Sequence, residues 1–177
     1  LYQAEEFAWL GDGITLDKGN IPSESLKKIM DGTVDAAAMT IEDVILAKSK
    51  GIDLSIVGVL DISAGSDIVL SKEKMDNLRE LKGKIIGSEN SALTSLILAK
   101  TLEKAGLNVE DVKHIDLAPP KQLDAWNKNE VDVVITYEPY ASSLIEKKAH
   151  YVLSTKDMSD IIFDVLAVRT DRLNGRE

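Results

Sequence analysis

The sequence predicts an α/β fold divided between two lobes. Predicted strands alternate with predicted helices along nearly the whole chain, and most strands are expected to pair in parallel. A unit of helix, Val-Asp step and small-residue strand occurs twice, first from Leu26 to Ala37 and again from Leu123 to Val134. Two copies this far apart indicate two similar lobes, with coincidence within a common helix–turn–strand module as the alternative.

In the first half of the chain, two predicted helices are bounded by residues that favour a helix end. Ser23 is expected to cap a helix ending at Asp31-Gly32, and Thr40 to cap one ending before Gly51. The apolar run from Leu54 to Ile62 predicts a strand buried on both faces. The other elements expected here are a partial helix at 1–9 and strands at Ile14–Asp17, Val34–Met39 and Asp67–Leu70.

Glycine and proline divide the second half in the same way. Gly83 ends a short helix over 74–81, and Gly106 ends a long helix that begins at Ser91. Pro119-Pro120 marks a turn before a helix at 121–128, and Pro139 begins the last helix. The strands expected here are Lys84–Gly87, Lys113–Leu117, Val131–Thr136, Tyr151–Leu153 and Phe163–Val168.

Composition excludes several classes of protein. The 177 residues are 44% hydrophobic and 29% charged, which is typical of a globular protein. A net charge of -9 without basic runs disfavours nucleic acid as a partner, because phosphate contacts need clustered lysine and arginine. The chain has no cysteine, so disulfides, thiolate metal sites and a cysteine nucleophile are excluded. The chain opens as if in mid-helix, so we expect a truncated or processed start.

Six segments carry a family resemblance, and the most specific is LRELKGKIIG at 78–87. The others are LYQAE at 1–5, DGTVDAA at 31–37, SAGSDIV at 63–69, Glu138-Pro139 and FDVLAV at 163–168. Taken in chain order, these segments resemble the type II periplasmic substrate-binding proteins of ABC importers, and the 78–87 segment resembles the start of their second lobe. Within that group the chain is similar to the NMT1-like branch, which handles sulfonates, nitrate and thiamine-precursor pyrimidines. The family's first strand and its C-terminal helices have no counterpart.

The resemblance implies a venus-flytrap fold with mostly parallel sheets and hinge crossings. Lobe I is expected to hold residues 1–70 and 166–177, and lobe II residues 71–165. The Asp67–Leu70 and Phe163–Val168 strands are expected to be neighbours at the hinge.

The resemblance also implies a function. The expected protein is a monomer, periplasmic or extracellular, that captures a small molecule and delivers it to an ABC transporter permease. The protein could be attached to the membrane as a lipoprotein. The alternative function is that of a ligand-sensing extracytoplasmic domain of a signalling receptor. A pyrimidine-precursor or menaquinone-pathway enzyme of the same fold is a third possibility. No cofactor, metal or catalytic residue is expected, because His114 and His150 have no Ser or Cys partner at motif spacing.

Polar residues follow four predicted strands and are expected to face one another across the cleft. Parallel α/β sheets place ligand sites at the carboxyl ends of their strands, and helix N-termini there offer free N–H groups. Helix capping, packing beside the hinge and simple solvation are the alternative roles. The predicted ligand-binding residues are Thr40, Ser66, Asp67, Ser88, Asn90, Ser91, Tyr137 and Glu138.

The charged residues restrict the ligand. Amino-acid binders of this superfamily resemble one another in carrying an arginine three residues beyond the Thr40 position, where this chain has Asp43. The acidic candidates Glu42, Asp43, Asp67, Glu89 and Glu138 favour a neutral or amine-bearing ligand. Trp126 and Trp9 are both expected in the core.

Overall fold

The computed structural model describes residues 5–19, 21–63, 65–158 and 162–173. The elements run in the order α1 (Pro22–Asp31), β1 (Ala36–Thr40), α2 (Ile41–Ser49), β2 (Leu54–Ile62), β3 (Asp67–Ser71), β4 (Ile85–Ser88), α3 (Ala92–Ala105), β5 (Lys113–Asp116), α4 (Pro119–Asn127), β6 (Val133–Tyr137), α5 (Tyr140–Glu146), β7 (His150–Ser154) and β8 (Phe163–Arg169). Over these ranges, no helix is long and apolar enough to cross a lipid bilayer.

The strands form two sheets, which define two lobes. Lobe I contains a three-stranded sheet in the order β1-β8-β2, and lobe II a five-stranded sheet in the order β5-β4-β6-β3-β7. The chain passes between the sheets twice, from β2 to β3 and from β7 back to β8. The prediction of a two-lobed α/β fold is therefore confirmed.

Strand direction differs from the expected mostly parallel sheets. Among the strands described, the β4–β5 and β4–β6 pairs are the only parallel ones. The remaining pairs are antiparallel. In lobe I, β1 and β2 each pair with β8, and in lobe II, β6 and β7 each pair with β3. Parallel pairing needs a crossover helix, which α3 and α4 provide only around β4. In contrast, β3 enters the lobe II sheet from lobe I, and β8 enters the lobe I sheet from lobe II. Each of these two strands runs antiparallel to its neighbours.

The prediction that the strands at 67–70 and 163–168 are neighbours is wrong. The first is β3, which pairs with the lobe II strands β6 and β7, and the second is β8, the central strand of lobe I. The expected lobe boundaries at residues 70 and 165 fall inside these two strands. Sheet membership places the two chain crossings a few residues earlier, between the end of β2 and the start of β3 and between the end of β7 and the start of β8.

Each lobe has its own hydrophobic core. The lobe I core lies between its sheet and helices and includes Ile29, Val44 and Ala167. In lobe II one cluster is centred on α3, and a second contains Trp126 with Leu144. Trp126 is buried as expected, whereas Trp9 is 72% exposed and stacks on Phe7, so its predicted core position is wrong.

Two expected strands differ because of their surroundings. The Leu54–Ile62 strand is β2, but it lies at the sheet edge, and register shifts at Ile56/Gly58 and Val59/Asp61 leave only Leu54 buried. Residues 14–17 form no strand. Of the partial helix expected at 1–9, residues 1–4 lie outside the described residues, and of residues 5–9 only 5 and 6 are helical.

Helix ends follow local chemistry closely, with two exceptions. Thr40 and Ser91 cap α2 and α3, and Gly32 and Gly106 adopt left-handed conformations at helix ends, as predicted. However, α1 begins at Pro22 without a side-chain cap, so Ser23 is not its capping residue. The short helix expected at 74–81 is a single 3₁₀ turn, Leu78–Leu81, capped by Asn77.

Candidate functional site

A cavity of about 470 Å³ lies between the two lobes, a volume suited to a small organic molecule. Both lobes and both chain crossings contribute to its wall. The described residues that line it are Ala38, Met39, Thr40, Asp43, Leu60, Asp61, Ser63, Ser66, Asp67, Glu89, Ser91, Leu93, Thr94, Tyr137, Glu138, Ile162 and Asp164.

The two chain crossings are joined to each other by hydrogen bonds, and several of the residues involved line the cavity. The Ser63 N–H donates to the Ile162 carbonyl at 3.0 Å. The side chains of Ser63 and Ser66 are hydrogen-bonded at 2.5 Å, and the Gly65 N–H donates to Thr155 Oγ1 at 2.9 Å. Gly65 has φ +106, a left-handed conformation that glycine adopts without strain. This network, here called the hinge, joins the two chain crossings between the lobes.

The lobe I wall is built at the start of α2. Thr40 ends β1, and its Oγ1 accepts a hydrogen bond from the Asp43 N–H at 3.3 Å. This cap places Asp43 in the first turn of α2, where it lines the cavity with only 3% of its surface exposed. Asp43 Oδ1 is buried and has no hydrogen-bond partner among the described residues.

The lobe II wall is built at the start of α3 in a similar way. Ser91 Oγ accepts from the Thr94 N–H at 3.2 Å, and Thr94 Oγ1 donates to the Glu89 carbonyl. The Ser91 N–H also donates to the Glu89 carbonyl, at 3.0 Å. These bonds fix the Glu89 backbone at the cavity edge. Glu89 is 5% exposed, and its Oε1 finds no hydrogen-bond partner in the part of the chain that the structure describes.

The adjoining strands β3 and β6 complete this wall. Asp67, the first residue of β3, is directly opposite Tyr137, the last residue of β6. The Tyr137 ring packs edge-to-face on Tyr140 with centroids 5.8 Å apart, and within the described ranges the Tyr137 hydroxyl has no hydrogen-bond partner. Glu138 Oε2 accepts from the Ser142 N–H at 3.2 Å, which holds its carboxylate at the start of α5.

Six of the eight predicted ligand-binding residues line the cavity together, and two do not. Ser88 is 1% exposed and its hydroxyl is hydrogen-bonded to His114 Nε2 at 2.7 Å. Asn90 is exposed, and its N–H donates to Asp116 Oδ1 at 3.1 Å. Both lie outside the cavity because the loop after β4 presents Glu89 and Ser91 to it instead.

Sequence reasoning missed the residues supplied by the chain crossings and by β8. Ser63, Asp61 and Asp164 contribute polar groups, and Leu60 and Ile162 contribute apolar surface. Asp164 pairs with Asp61 across β2 and β8, so it reaches the cavity through the antiparallel return of β8. The predicted strand at 163–168 already contains Asp164, but the partner of that strand is fixed only by the fold.

Burial gives the cavity carboxylates unusual proton affinity. Burial, reinforced by the charges of Glu42 and Glu89, raises the pKa of Asp43 from 3.8 to about 6. Burial also raises the pKa of Asp67 to about 6, with a smaller contribution from Asp164. The pKa of Asp164 is raised by burial and by Asp61. The cavity therefore holds several mutually repelling carboxylates, which an uncharged or anionic ligand would leave uncompensated.

The chain is similar to a known family and to several known proteins. The sequence model of the NMT1-like family matches residues 2–176. A Brucella abortus relative, named as a candidate binding protein, is 28% identical over 81 residues. These residues cover 46% of this chain and 25% of the relative. The chain thus matches only about a quarter of that relative's length.

Solved structures share the fold at low sequence identity. The periplasmic aliphatic sulphonate binding protein SsuA from Escherichia coli is 19% identical with a TM-score of 0.82 and matches 98% of this chain, which covers 60% of it. The alkanesulfonate-binding protein SsuA from Xanthomonas axonopodis pv. citri, bound to MOPS, is 20% identical with a TM-score of 0.81. The match covers 97% of this chain and 59% of the Xanthomonas protein. The desulfurization enzyme DSZB is 14% identical with a TM-score of 0.57, and the match covers 78% of this chain and 57% of the enzyme.

Proposed function

The chain belongs to the NMT1-like family, and we propose that it is part of an extracytoplasmic solute-binding protein that captures a small molecule and delivers it to an ABC importer. The observation that carries this proposal is the cavity between the lobes, whose wall both lobes and both chain crossings supply. A ligand that contacts both walls favours the closed arrangement of the lobes, which couples capture to a change of shape. A permease would recognise that closed shape. We propose that the protein acts as a monomer.

The cavity supports binding more than catalysis. Ser88 and His114 form a hydrogen-bonded serine–histidine pair, an arrangement that nucleophilic enzymes use. Neither residue lines the cavity, and Ser88 is 1% exposed, so a ligand in the cavity does not reach the hydroxyl. We therefore propose that the solute is bound and released unchanged.

The similar proteins do not by themselves identify the solute. The two SsuA proteins are named for sulfonates, but both are at most 20% identical to this chain. A sulfonate here would lie beside the carboxylates of Asp43, Asp67 and Glu89. The ligand must therefore be determined from the cavity itself.

Native mass spectrometry of the purified chain tests the proposed function. We expect one small molecule per chain, released unchanged when the protein is denatured. Ser66→Trp should fill the cavity and remove that molecule, whereas Ser95→Trp, at an exposed position on α3, should keep it. A chemically altered product, or equal occupancy in both variants, would contradict a solute-binding role for the cavity.

A further inference from the structure

The described lining of the cavity carries negative charge only. Lysine, arginine and histidine are absent from the described lining residues, and six residues there bear carboxyl groups. These six are Asp43, Asp61, Asp67, Glu89, Glu138 and Asp164. The N-termini of α2 and α3 contribute only about half a positive charge each, and their first turns are already capped by Thr40 and Ser91. The field in the cavity is therefore negative.

Two of these carboxylates have buried oxygens that no donor from the described residues satisfies. These atoms are Asp43 Oδ1 and Glu89 Oε1, and their residues are 3% and 5% exposed. Buried carboxylate oxygens in proteins are nearly always hydrogen-bonded, because leaving one without a donor is costly. The Tyr137 hydroxyl, also in the wall, has no partner among the described residues either, and it can both donate and accept. The two carboxylate oxygens lack hydrogen-bond donors at defined positions, and a ligand can supply them.

The carboxylates are arranged for an organic molecule and not for a metal ion. Among the residues that the structure describes, no three histidine, aspartate or glutamate side chains are grouped closely enough to hold a metal. The cavity is far larger than an ion needs, and Leu60, Leu93 and Ile162 add apolar surface to its lining. A lining that combines acidic groups with apolar surface fits a molecule with both characters.

We propose that the solute is a small organic cation with N–H donors, an ammonium or guanidinium compound, held between Asp43 of lobe I and Glu89 of lobe II. This inference rests on the proposed function and specifies its substrate class. An N–H⁺ group satisfies both the charge and the missing hydrogen bonds of these carboxylates, and charge-assisted bonds of this kind are the stronger ones.

The same pair couples binding to closure of the lobes. Asp43 lies on α2 of lobe I and Glu89 follows β4 of lobe II, and the charge of Glu89 acts on Asp43. Without a cation, two negative groups on opposite walls repel each other and oppose closure. A cation between them reverses that interaction, so the closed form is favoured only when the ligand is present.

Three probes with the same four-carbon chain test the sign of the charge. Calorimetric titration and thermal unfolding are measured with 1,4-diaminobutane, 1,4-butanediol and 1,4-butanedisulfonate at equal ionic strength. We expect saturable 1:1 binding and an increase in Tm with the diamine only. Stronger binding of the disulfonate, or a diamine response no larger than that of the diol, would overturn the inference.

Variants separate the cavity from the general negative charge of the protein. Asp43→Asn and Glu89→Gln should each weaken diamine binding by about tenfold or more, the effect of losing one charge-assisted hydrogen bond. Glu146→Gln, at an exposed position on α5, removes the same charge and should leave binding unchanged. Equal losses in all three variants would show that the diamine binds by net charge alone and would overturn the inference.

The outcome distinguishes this inference from the proposed function. If the disulfonate binds 1:1 and Ser66→Trp abolishes that binding, the protein is still a solute-binding protein and only the cationic class is wrong. If native mass spectrometry shows that the small molecule is chemically altered, the proposed function fails, whichever probe binds.

Discussion

The backbone N–H of Ser63 donates to the carbonyl of Ile162 at 3.0 Å, which joins the two chain crossings between the lobes. Ser63 follows β2 on the way into lobe II, and Ile162 precedes β8 on the way back. Both residues line the cavity. The connection between the lobes and the candidate binding site therefore share residues, so a ligand in the cavity contacts the segments that join the lobes.

Thr155 anchors one crossing to lobe II, and its hydroxyl should be needed for a well-ordered hinge. Thr155→Val removes the acceptor of the Gly65 N–H while keeping the shape of a side chain that is 3% exposed. Leaving that N–H without a partner should cost about 1–3 kcal/mol of unfolding free energy. Urea denaturation measures the loss, and limited proteolysis should show faster cleavage near residue 65. Thr155→Ser keeps the hydroxyl and should behave like the wild type.

The capping role of Thr40 can be measured apart from any role in binding. Thr40→Ala removes the acceptor of the Asp43 N–H and should cost about 1 kcal/mol of unfolding free energy. Thr40→Ser should restore most of it. If Thr40→Ala weakens ligand binding while Thr40→Ser does not, the cap also positions Asp43 in the cavity. Unchanged stability in Thr40→Ala would contradict the capping role.

Gly87 in β4 shows where close packing requires glycine. A Cβ there would lie 2.8 Å from Leu117 Cδ2 and 3.0 Å from Val131 Cγ1, closer than carbon atoms pack. Gly87→Ala should therefore destabilise lobe II by about 1–3 kcal/mol, measured by thermal unfolding. A Cβ at Gly58 in β2 would meet no described atom within 4 Å, so Gly58→Ala is the matched control and should have little effect. Similar losses in both variants would contradict the packing argument.

Local chemistry made some features predictable from sequence, and long-range pairing made others unpredictable. Thr40, Ser91 and Gly106 act through bonds to residues a few positions away, so their roles were visible in the sequence. The apolar run at 54–62 shows the opposite case, because its burial depends on which strand lies beside it. As an edge strand with two register shifts, β2 leaves Val59 63% exposed and Leu60 48% exposed.

The same distinction explains the candidate site. Six of its residues lie at or near strand ends, where α/β sheets place ligand sites, and could be found from the sequence. Asp61 and Asp164 reach the cavity only because β2 and β8 pair antiparallel. Ser88 was expected in the cavity, but its hydroxyl is bonded to His114 on the neighbouring strand β5, a contact that depends on the register of β4 and β5.

The buried carboxylates should make stability depend on pH in a direction opposite to that of surface ion pairs. A carboxyl whose pKa is raised by folding binds its proton more tightly in the folded state. Its contribution is fully present below the pKa of the unfolded chain, and it is lost as the pH rises through the folded pKa. For Asp43 that window extends from 3.8 to about 6. The pKa values of the exposed Asp53 and the half-buried Asp111 are lowered by hydrogen bonds, so their stabilising contribution is lost as the pH falls.

Comparison of wild type with Asp43→Asn isolates this effect from the rest of the protein. Asparagine cannot ionise, so the variant avoids the repulsion from Glu42, Glu89 and Asp164 that acts on Asp43. The variant and the wild type should have similar unfolding free energies near pH 4. Above pH 7 the variant should be more stable, by about 3 kcal/mol if the change from 3.8 to about 6 is expressed in full. Urea denaturation at half-unit pH steps, with Glu146→Gln as the control, measures the difference. A difference that stays constant across pH, or that shrinks as the pH rises, would show that Asp43 is not a buried, repelled carboxylate.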